Sequence, residues 1–208
     1  MSIETVGLGI TIGKHALFSD VNVACEPGQI LALVGVSGSG KTTLLGCMGL
    51  LVPPTTGEVV VDGRSMGFSQ QDRLRFWRND ASFVYQDYGI IDDETVAYNV
   101  AMRGSRRSLA RNRRLQDILA EVGLEGRGDE RAAVLSGGEK QRLGLARALY
   151  KEARFVFADE PTASLDADNR KLVLDLIRRS ADNGAAVVLA THDEQLAAQS
   201  DIVYRLGS

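Results

Sequence analysis

A short apolar run, Ile30 to Val34, opens directly onto Gly35-Val36-Ser37-Gly38-Ser39-Gly40-Lys41-Thr42, and this junction constrains the fold more than any other part of the chain. The run is too short for a helix and suits a strand buried on both faces of a parallel sheet. The spacing of Gly35, Gly40, Lys41 and Thr42 satisfies G-x-x-x-x-G-K-[ST]. In that pattern backbone N–H groups converge on phosphate oxygens, the lysine reaches the β- and γ-phosphates, and the hydroxyl ligates Mg²⁺. Gly38 and Gly40 lack a Cβ and can take the backbone angles such a cradle needs. A helix expected from Lys41 to Met48 then points the positive end of its dipole at the anion. The plainer reading of the same residues is an ordinary glycine-rich turn between a strand and a helix.

With 208 residues, 44% of them hydrophobic and 25% charged, the chain has the composition of one soluble globular domain with a sizeable core. Its net charge of −3 gives no reason to expect nucleic acid as a partner. Charge is unevenly spread, because Arg103, Arg106, Arg107, Arg111, Arg113 and Arg114 crowd one segment. That cluster reads either as a solvated helix face or as a site for anionic lipid or an acidic partner. No apolar run approaches the ~18 residues of a membrane-spanning helix, and no secretion signal opens the chain, so a cytoplasmic location is expected. Cys25 and Cys47 have neither metal-ligand nor redox spacing and read as buried thiols.

In chain order, Ser2 to Ile12 and Val21 to Cys25 read as strands, with turns at Gly13-Lys14 and Glu26-Pro27-Gly28. Pro53-Pro54 ends the first helix, and Glu58 to Val61 is a strand closed by Asp62-Gly63, which together predict an antiparallel flap. A helix near Gln71 to Arg78 leads to a strand from Ala81 to Tyr85. Between Gln86 and Ser136 the pattern turns helical, with Val96 to Met102 and Leu109 to Val122 as candidates. The second places Leu115, Ile118, Leu119 and Val122 on one face. Alternation then resumes: strand Phe155 to Ala158, helix Ala167 to Ser180, strand Ala186 to Ala190, helix Glu194 to Ala198, strand Ile202 to Arg205. Such alternation predicts a parallel α/β sheet. The expected organisation is one domain over 1–208 with a helical subdomain at about 87–150.

Two further segments carry chemistry. The apolar strand at 155–158 delivers Asp159 and Glu160 at its C-terminal end, where α/β sheets bind their ligands. Asp159 is placed to hold Mg²⁺, through water as suits a cation that keeps part of its hydration, and Glu160 to orient or deprotonate an attacking water. Two solvated acids in a turn is the plain alternative. Leu135-Ser136-Gly137-Gly138-Glu139 precedes a helix running to Tyr150 and forms a capping box, with Ser136 as N-cap and Glu139 reaching back. Capping leaves room for a second role, since a helix start preceded by glycines can also receive a phosphate.

The phosphate loop at 35–42, LSGGE at 135–139, FVFADEP at 155–161, SLD at 164–166, Gln86 ending a strand and His192 after VVLAT occur in the order and approximate spacing of ABC-transporter ATPase subunits. The chain resembles that family over nearly its whole length. Its compact size and the segment YQDYGIIDDETVAYNV resemble the branch serving macrolide export, lipoprotein release and bacteriocin export. The resemblance implies a P-loop NTPase with a RecA-like parallel core, an antiparallel β subdomain and an inserted helical subdomain. It implies that Ser37, Gly38, Ser39, Gly40, Lys41, Thr42 and Thr43 bind the phosphates of ATP, that Thr42 and Gln86 ligate Mg²⁺, and that Glu160 is the catalytic carboxylate. His192 would contact the γ-phosphate. Ser136 and Gly138 would close on the γ-phosphate held by a second subunit, with Asp166 at the same interface, although Asp166 also reads simply as the cap of the following helix. The implied partners are a second cassette, identical or homologous, and a transmembrane permease that would hold the protein at the inner face of the membrane. The implied activity is ATP hydrolysis driving export or extraction, and a non-transporting module that acts mechanically on a membrane protein shares every motif. One departure stands out: family members stack adenine on an aromatic residue in the first strand pair, whereas nothing before Phe18 is aromatic and Ile12 falls about where the ring should be.

Overall fold

The computed structural model describes residues 2–85, 89–163 and 165–207, and of Arg106 the backbone alone. Two sheets are built. The first is antiparallel, in the order β2 (His15–Cys25), β1 (Ile3–Ile12), β4 (Thr56–Val61), β5 (Arg64–Ser65). The second is parallel throughout, in the order β6 (Ala81–Val84), β7 (Phe155–Asp159), β8 (Ala186–Thr191), β3 (Ile30–Val34), β9 (Ile202–Arg205). The antiparallel flap and the parallel sheet expected from the sequence are both present.

The unbroken apolar runs of β3, β7 and β8 follow from burial on both faces of the parallel sheet. Leu31 and Leu33 of β3, Phe155 and Phe157 of β7, and Val188 of β8 enter a core shared with the antiparallel sheet and with α1 (Lys41–Met48). Their neighbours Ile30, Ala32, Val34, Val156, Ala158, Val187 and Leu189 enter a second core on the other face. That core is closed by α3 (Val96–Ala101), α5 (Arg113–Glu121), α6 (Gly137–Lys151), α7 (Ala167–Asp182) and α8 (Glu194–Ala198). A further helix, α2 (Gln70–Asn79), inserts Phe76 against Phe155, ring centroids 5.5 Å apart.

Two local expectations need correction. The second strand begins at His15 rather than Val21, because register shifts along its pairing with β1 interrupt the alternation that marks a strand in sequence. The helix expected over 109–122 is two, α4 (Arg106–Ala110) and α5. Asn112 separates them: its Oδ1 accepts the Leu115 N–H at 3.1 Å and starts α5 afresh. Within the arginine-rich segment, Arg114 pairs with Glu152 at 2.8 Å and lies over the Tyr150 ring, while Arg103, Arg107, Arg111 and Arg113 are exposed. Both cysteines are buried, and burial pushes each thiol up to about 12.

One glycine joins the two halves of the flap. Gly57 has φ +73, and a Cβ there would drive into the backbone of Val6 and Gly7 in β1, so only glycine allows this close strand approach.

Candidate functional site

Three adjacent parallel strands end at one edge of the sheet, and each delivers a different group. In register, Asp159 of β7 stands opposite Ala190 of β8, and Thr191 of β8 opposite Val34 of β3. The glycine-rich loop leaving β3, the Thr191-His192 pair leaving β8 and the Asp159-Glu160 pair leaving β7 therefore converge.

The loop is packed as well as flexible in sequence. A Cβ at Gly35 would meet Ser39 Oγ at 2.6 Å and the Leu206 carbonyl at 2.8 Å. Gly40, at φ 98, is the N-cap of α1 and abuts Leu17 and Phe18, so the first N–H groups of the helix meet no capping side chain. Lys41, only 8% exposed, folds back and donates through Nζ to the Gly35 carbonyl at 2.8 Å and the Val36 carbonyl at 3.0 Å. The Ser39 hydroxyl is buried with no partner. Unsatisfied helix-end N–H groups, an orphan hydroxyl and a cation inside a glycine loop are donors that an oligophosphate can satisfy.

Thr42 Oγ1 donates to Asp159 Oδ1 at 3.1 Å, joining β7 to α1 across the intervening strand. Burial raises the Asp159 pKa, as does the neighbouring Glu160 charge, while the Thr42 bond and Lys41 act the other way. A hydroxyl and a carboxylate held together are hard oxygen donors of the kind Mg²⁺ takes one or two of, completing its shell with water and phosphate. Among the described residues no three His, Cys, Asp or Glu side chains cluster as a metal cage of their own.

Glu160 sits at φ 47, its N–H donating to the Ala190 carbonyl at 2.9 Å. Its Oε2 accepts from the buried Thr191 hydroxyl at 3.2 Å, and its Oε1 lies 2.8 Å from Nδ1 of exposed His192. One edge of the carboxylate is thus anchored to the next strand's end.

A second constellation lies at the start of α6. Ser136 is the N-cap, and its N–H donates to Glu139 Oε2 at 2.7 Å while Ser136 Oγ accepts from the Glu139 N–H, the capping box expected from sequence. Arg127 grips Glu139 and also pairs with Glu130 at 2.8 Å. Burial would push the Glu139 pKa up, but the bonds from Ser136 and the charge of Arg127 outweigh it and bring the net shift down. Asp166 caps α7, its Oδ1 accepting from the Asn169 N–H at 2.8 Å, and Asn169 in turn accepts from Arg142 of α6.

The structure therefore brings Lys41, Thr42, Asp159, Glu160 and His192 into one connected set, and Gly138, Ser136 and Asp166 into another. Among the described residues no hydrogen bond or ion pair links a residue of one set directly to a residue of the other. Ser37 and Gly38 lie on the loop and Thr43 on the first turn of α1, and Gln86 lies outside the described residues. Sequence reading missed Thr191, Asn169 and Arg127. An N-capping Ser136 followed by Glu139 was visible, but the arginine that completes the pair lies twelve residues earlier in a loop and gives no periodic signal.

A parallel sheet with a phosphate-loop junction and an acidic pair two strands away defines a P-loop NTPase. The chain belongs to the ABC transporter family, whose model matches residues 18–163, and it is an ATP-binding cassette of that family. It is 41% identical over 86% of its length to the lipoprotein-releasing system ATP-binding protein LolD 1 of Caulobacter vibrioides, covering 79% of that protein. It is 37% identical to the protein of the same name from Rhodospirillum rubrum, covering 94% of it. The macrolide export ATP-binding/permease protein MacB of Pectobacterium atrosepticum is 37% identical over 91% of this chain, which spans 30% of that longer protein. Among solved structures, a dimeric bacterial ABC transporter cassette superposes with a TM-score of 0.86 at 28% identity, covering 98% of this chain and 94% of the other. A second dimer, a cassette in a post-hydrolysis state bound to ADP and Pi, has the same score, identity and coverage.

Proposed function

We propose that this chain binds and hydrolyses ATP as one of two cassettes that power a separate membrane permease in export or in extraction from the membrane. The observation that carries the reading is the division of the site: a phosphate loop with its acidic pair in one place, and the exposed, capped start of α6 in another. One of each per chain makes two complete sites only when two chains pair head to tail. The cassette dimers among the similar structures, and the lipoprotein-releasing and macrolide-export names of the relatives, support it.

In this reading Gly35, Ser37, Gly38, Ser39, Gly40, Lys41, Thr42 and Thr43 hold the triphosphate, and Lys41 leaves its loop carbonyls for the phosphates. Thr42, Asp159 and Gln86 hold Mg²⁺, which supplies charge neutralisation at the phosphate oxygens. Glu160 accepts a proton from water as that water attacks the γ-phosphorus, and the bond to the ADP oxygen breaks. Thr191 and His192 keep the carboxylate aimed, and His192 is placed to reach the γ-phosphate. Ser136, Gly138 and Asp166 serve the neighbouring chain's nucleotide. No described helix is long and apolar enough to cross a membrane, and in this reading the permease holds the cassette at the inner face.

Co-purification from membranes with a permease, followed by ATP-dependent cargo movement in vesicles carrying both, tests the proposal. Recovery of the cassette only as a permease-free ATPase would overturn the transport reading. Vesicles in which ATP is hydrolysed and a periplasmic enzyme is switched on, with no cargo moved, would favour the mechanical alternative.

The base contact carries its own prediction. Ile12 ends β1 and is 65% exposed, so the position where the resemblance expects an aromatic ring is aliphatic, and the ring that does abut the loop, Phe18 at Gly40, is half-buried in the second strand. Ring stacking on a base contributes roughly 1–3 kcal/mol, and without it GTP is expected to displace a fluorescent ATP analogue nearly as well as ATP does. Ile12→Tyr should then tighten ATP binding about tenfold, within that range. A strong ATP preference in the unaltered chain would refute the idea.

A further inference from the structure

The first turn of α7 carries two neighbouring side chains with opposite attachments. Asn169 is held on the α6 side: its Oδ1 accepts from Arg142, its Nδ2 donates to Asp166 Oδ2 at 2.7 Å, and a Cβ on Gly138 would stand 3.3 Å from its Cγ. Arg170 is held on the other side, donating to Asp193 Oδ2 and, at 3.4 Å, to Gln195 Oε1.

Asp193 follows His192 and is the hub of the turn that bears it. Its Oδ1 accepts the N–H groups of Gln195 and Leu196 at 2.9 and 3.3 Å, capping α8, and its Oδ2 also accepts from Thr162 Oγ1 at 3.3 Å. The Asp193 N–H donates to Thr191 Oγ1 at 3.0 Å, and that same hydroxyl donates to Glu160 Oε2. With one lone pair of the hydroxyl fixed by the Asp193 N–H, its proton is left to point at the carboxylate.

We propose that Arg170 is a positioning residue for hydrolysis: through Asp193 it fixes the turn from Thr191 to Asp193 and so the aim of Glu160 and His192, touching neither. The proposal rests on the reading of Glu160 and His192 given above. The Asp193 side chain is only 15% exposed, and a largely buried carboxylate that loses its cation is left under-compensated, which costs more than the pair itself contributes. Asp193 then turns toward water, the α8 cap loosens, and the Thr191 hydroxyl loses the donor that orients it. Because Asn169 ties the same helical turn to Gly138 and Asp166, one turn of α7 bears on both constellations of the chain.

The test compares full-length Arg170→Ala and Arg170→Lys in steady-state ATP hydrolysis and in the ring NMR signals of the histidines. The chain has two histidines, and exposed His15 in the first hairpin is an internal reference for His192. In Arg170→Ala, kcat should fall about tenfold with KM for ATP within about twofold, and lysine should recover most of the loss. The His192 ring signals should move in the alanine variant and return in the lysine variant, while those of His15 stay. Arg205→Ala breaks the Arg205–Glu194 pair that also tethers α8, 3.0 Å apart on the surface, and should change neither readout.

Unchanged kcat and unmoved His192 signals in Arg170→Ala overturn the proposal. So does an equal loss in Arg205→Ala, which would make the effect one of α8 stability alone. If the unaltered chain shows no hydrolysis, the hydrolytic reading of Glu160 falls by itself, and the His192 signals still decide whether Arg170 orders the turn.

Discussion

Glu160→Gln is expected to lower ATP turnover by roughly two to three orders of magnitude, the range in which loss of a general base falls, while ATP affinity stays within about twofold. The amide is isosteric, so its carbonyl oxygen can still accept from the Thr191 hydroxyl that now lies 3.2 Å from Oε2. What it loses is the ability to take a proton. Affinity should be spared because the donors proposed for the phosphates are on another element, the loop of Gly35 to Gly40 and the Lys41 ammonium that now donates to two loop carbonyls. Since binding would join two chains and hydrolysis would part them, ATP should trap this variant as a dimer in size-exclusion chromatography. Turnover near that of the unaltered chain would remove Glu160 from the chemistry and leave Asp159, whose raised pKa comes from burial, as the remaining carboxylate at that strand end.

How far such roles can be seen in sequence depends on the range of the interaction that defines them. β3, β7 and β8 were legible because strands buried on both faces need apolar residues at every position, and each ends at a point that strand polarity alone assigns to the ligand edge. The Thr42–Asp159 bond, 117 residues apart in sequence, follows from those two strand ends. The turn at Asp62-Gly63 was legible because both residues take positive φ, 52° and 73°, as a tight hairpin of that type demands. The start of β2 was not, because bulges break its alternation. Nor was the break between α4 and α5, since Asn112 sits among arginines and only its bond to Leu115 marks it as a cap. Arg170 and Arg142 were hidden for a different reason. An arginine in a helix reads as a solvated side chain until tertiary packing supplies Asp193 for one and Asn169 for the other.

Gly138→Asp is the second large effect, and it separates a shared pocket from a self-contained one. Gly138 is on the first turn of α6, where backbone N–H groups and the helix dipole favour an incoming anion. A carboxylate at that point repels the γ-phosphate, and turnover should drop by roughly two orders of magnitude, as when a donor to the reacting oxygens is lost. The nearest atom to a new Cβ is Asn169 Cγ at 3.3 Å, a contact that a side-chain shift of a few tenths of an ångström relieves. Nucleotide binding by the variant's own loop should therefore survive, whereas Lys41→Ala should lose it. Mixing the two inactive variants then gives opposite results under the two views. In a two-fold dimer each chain lends its α6 start to its partner's loop, so a mixed dimer has one site with both defects and one with neither. Random pairing would restore about a quarter of the sites, and ATP turnover should reappear on mixing. If every chain hydrolysed ATP alone, mixing could restore nothing, and a Gly138→Asp protein that turned over normally by itself would show that the start of α6 never meets a phosphate.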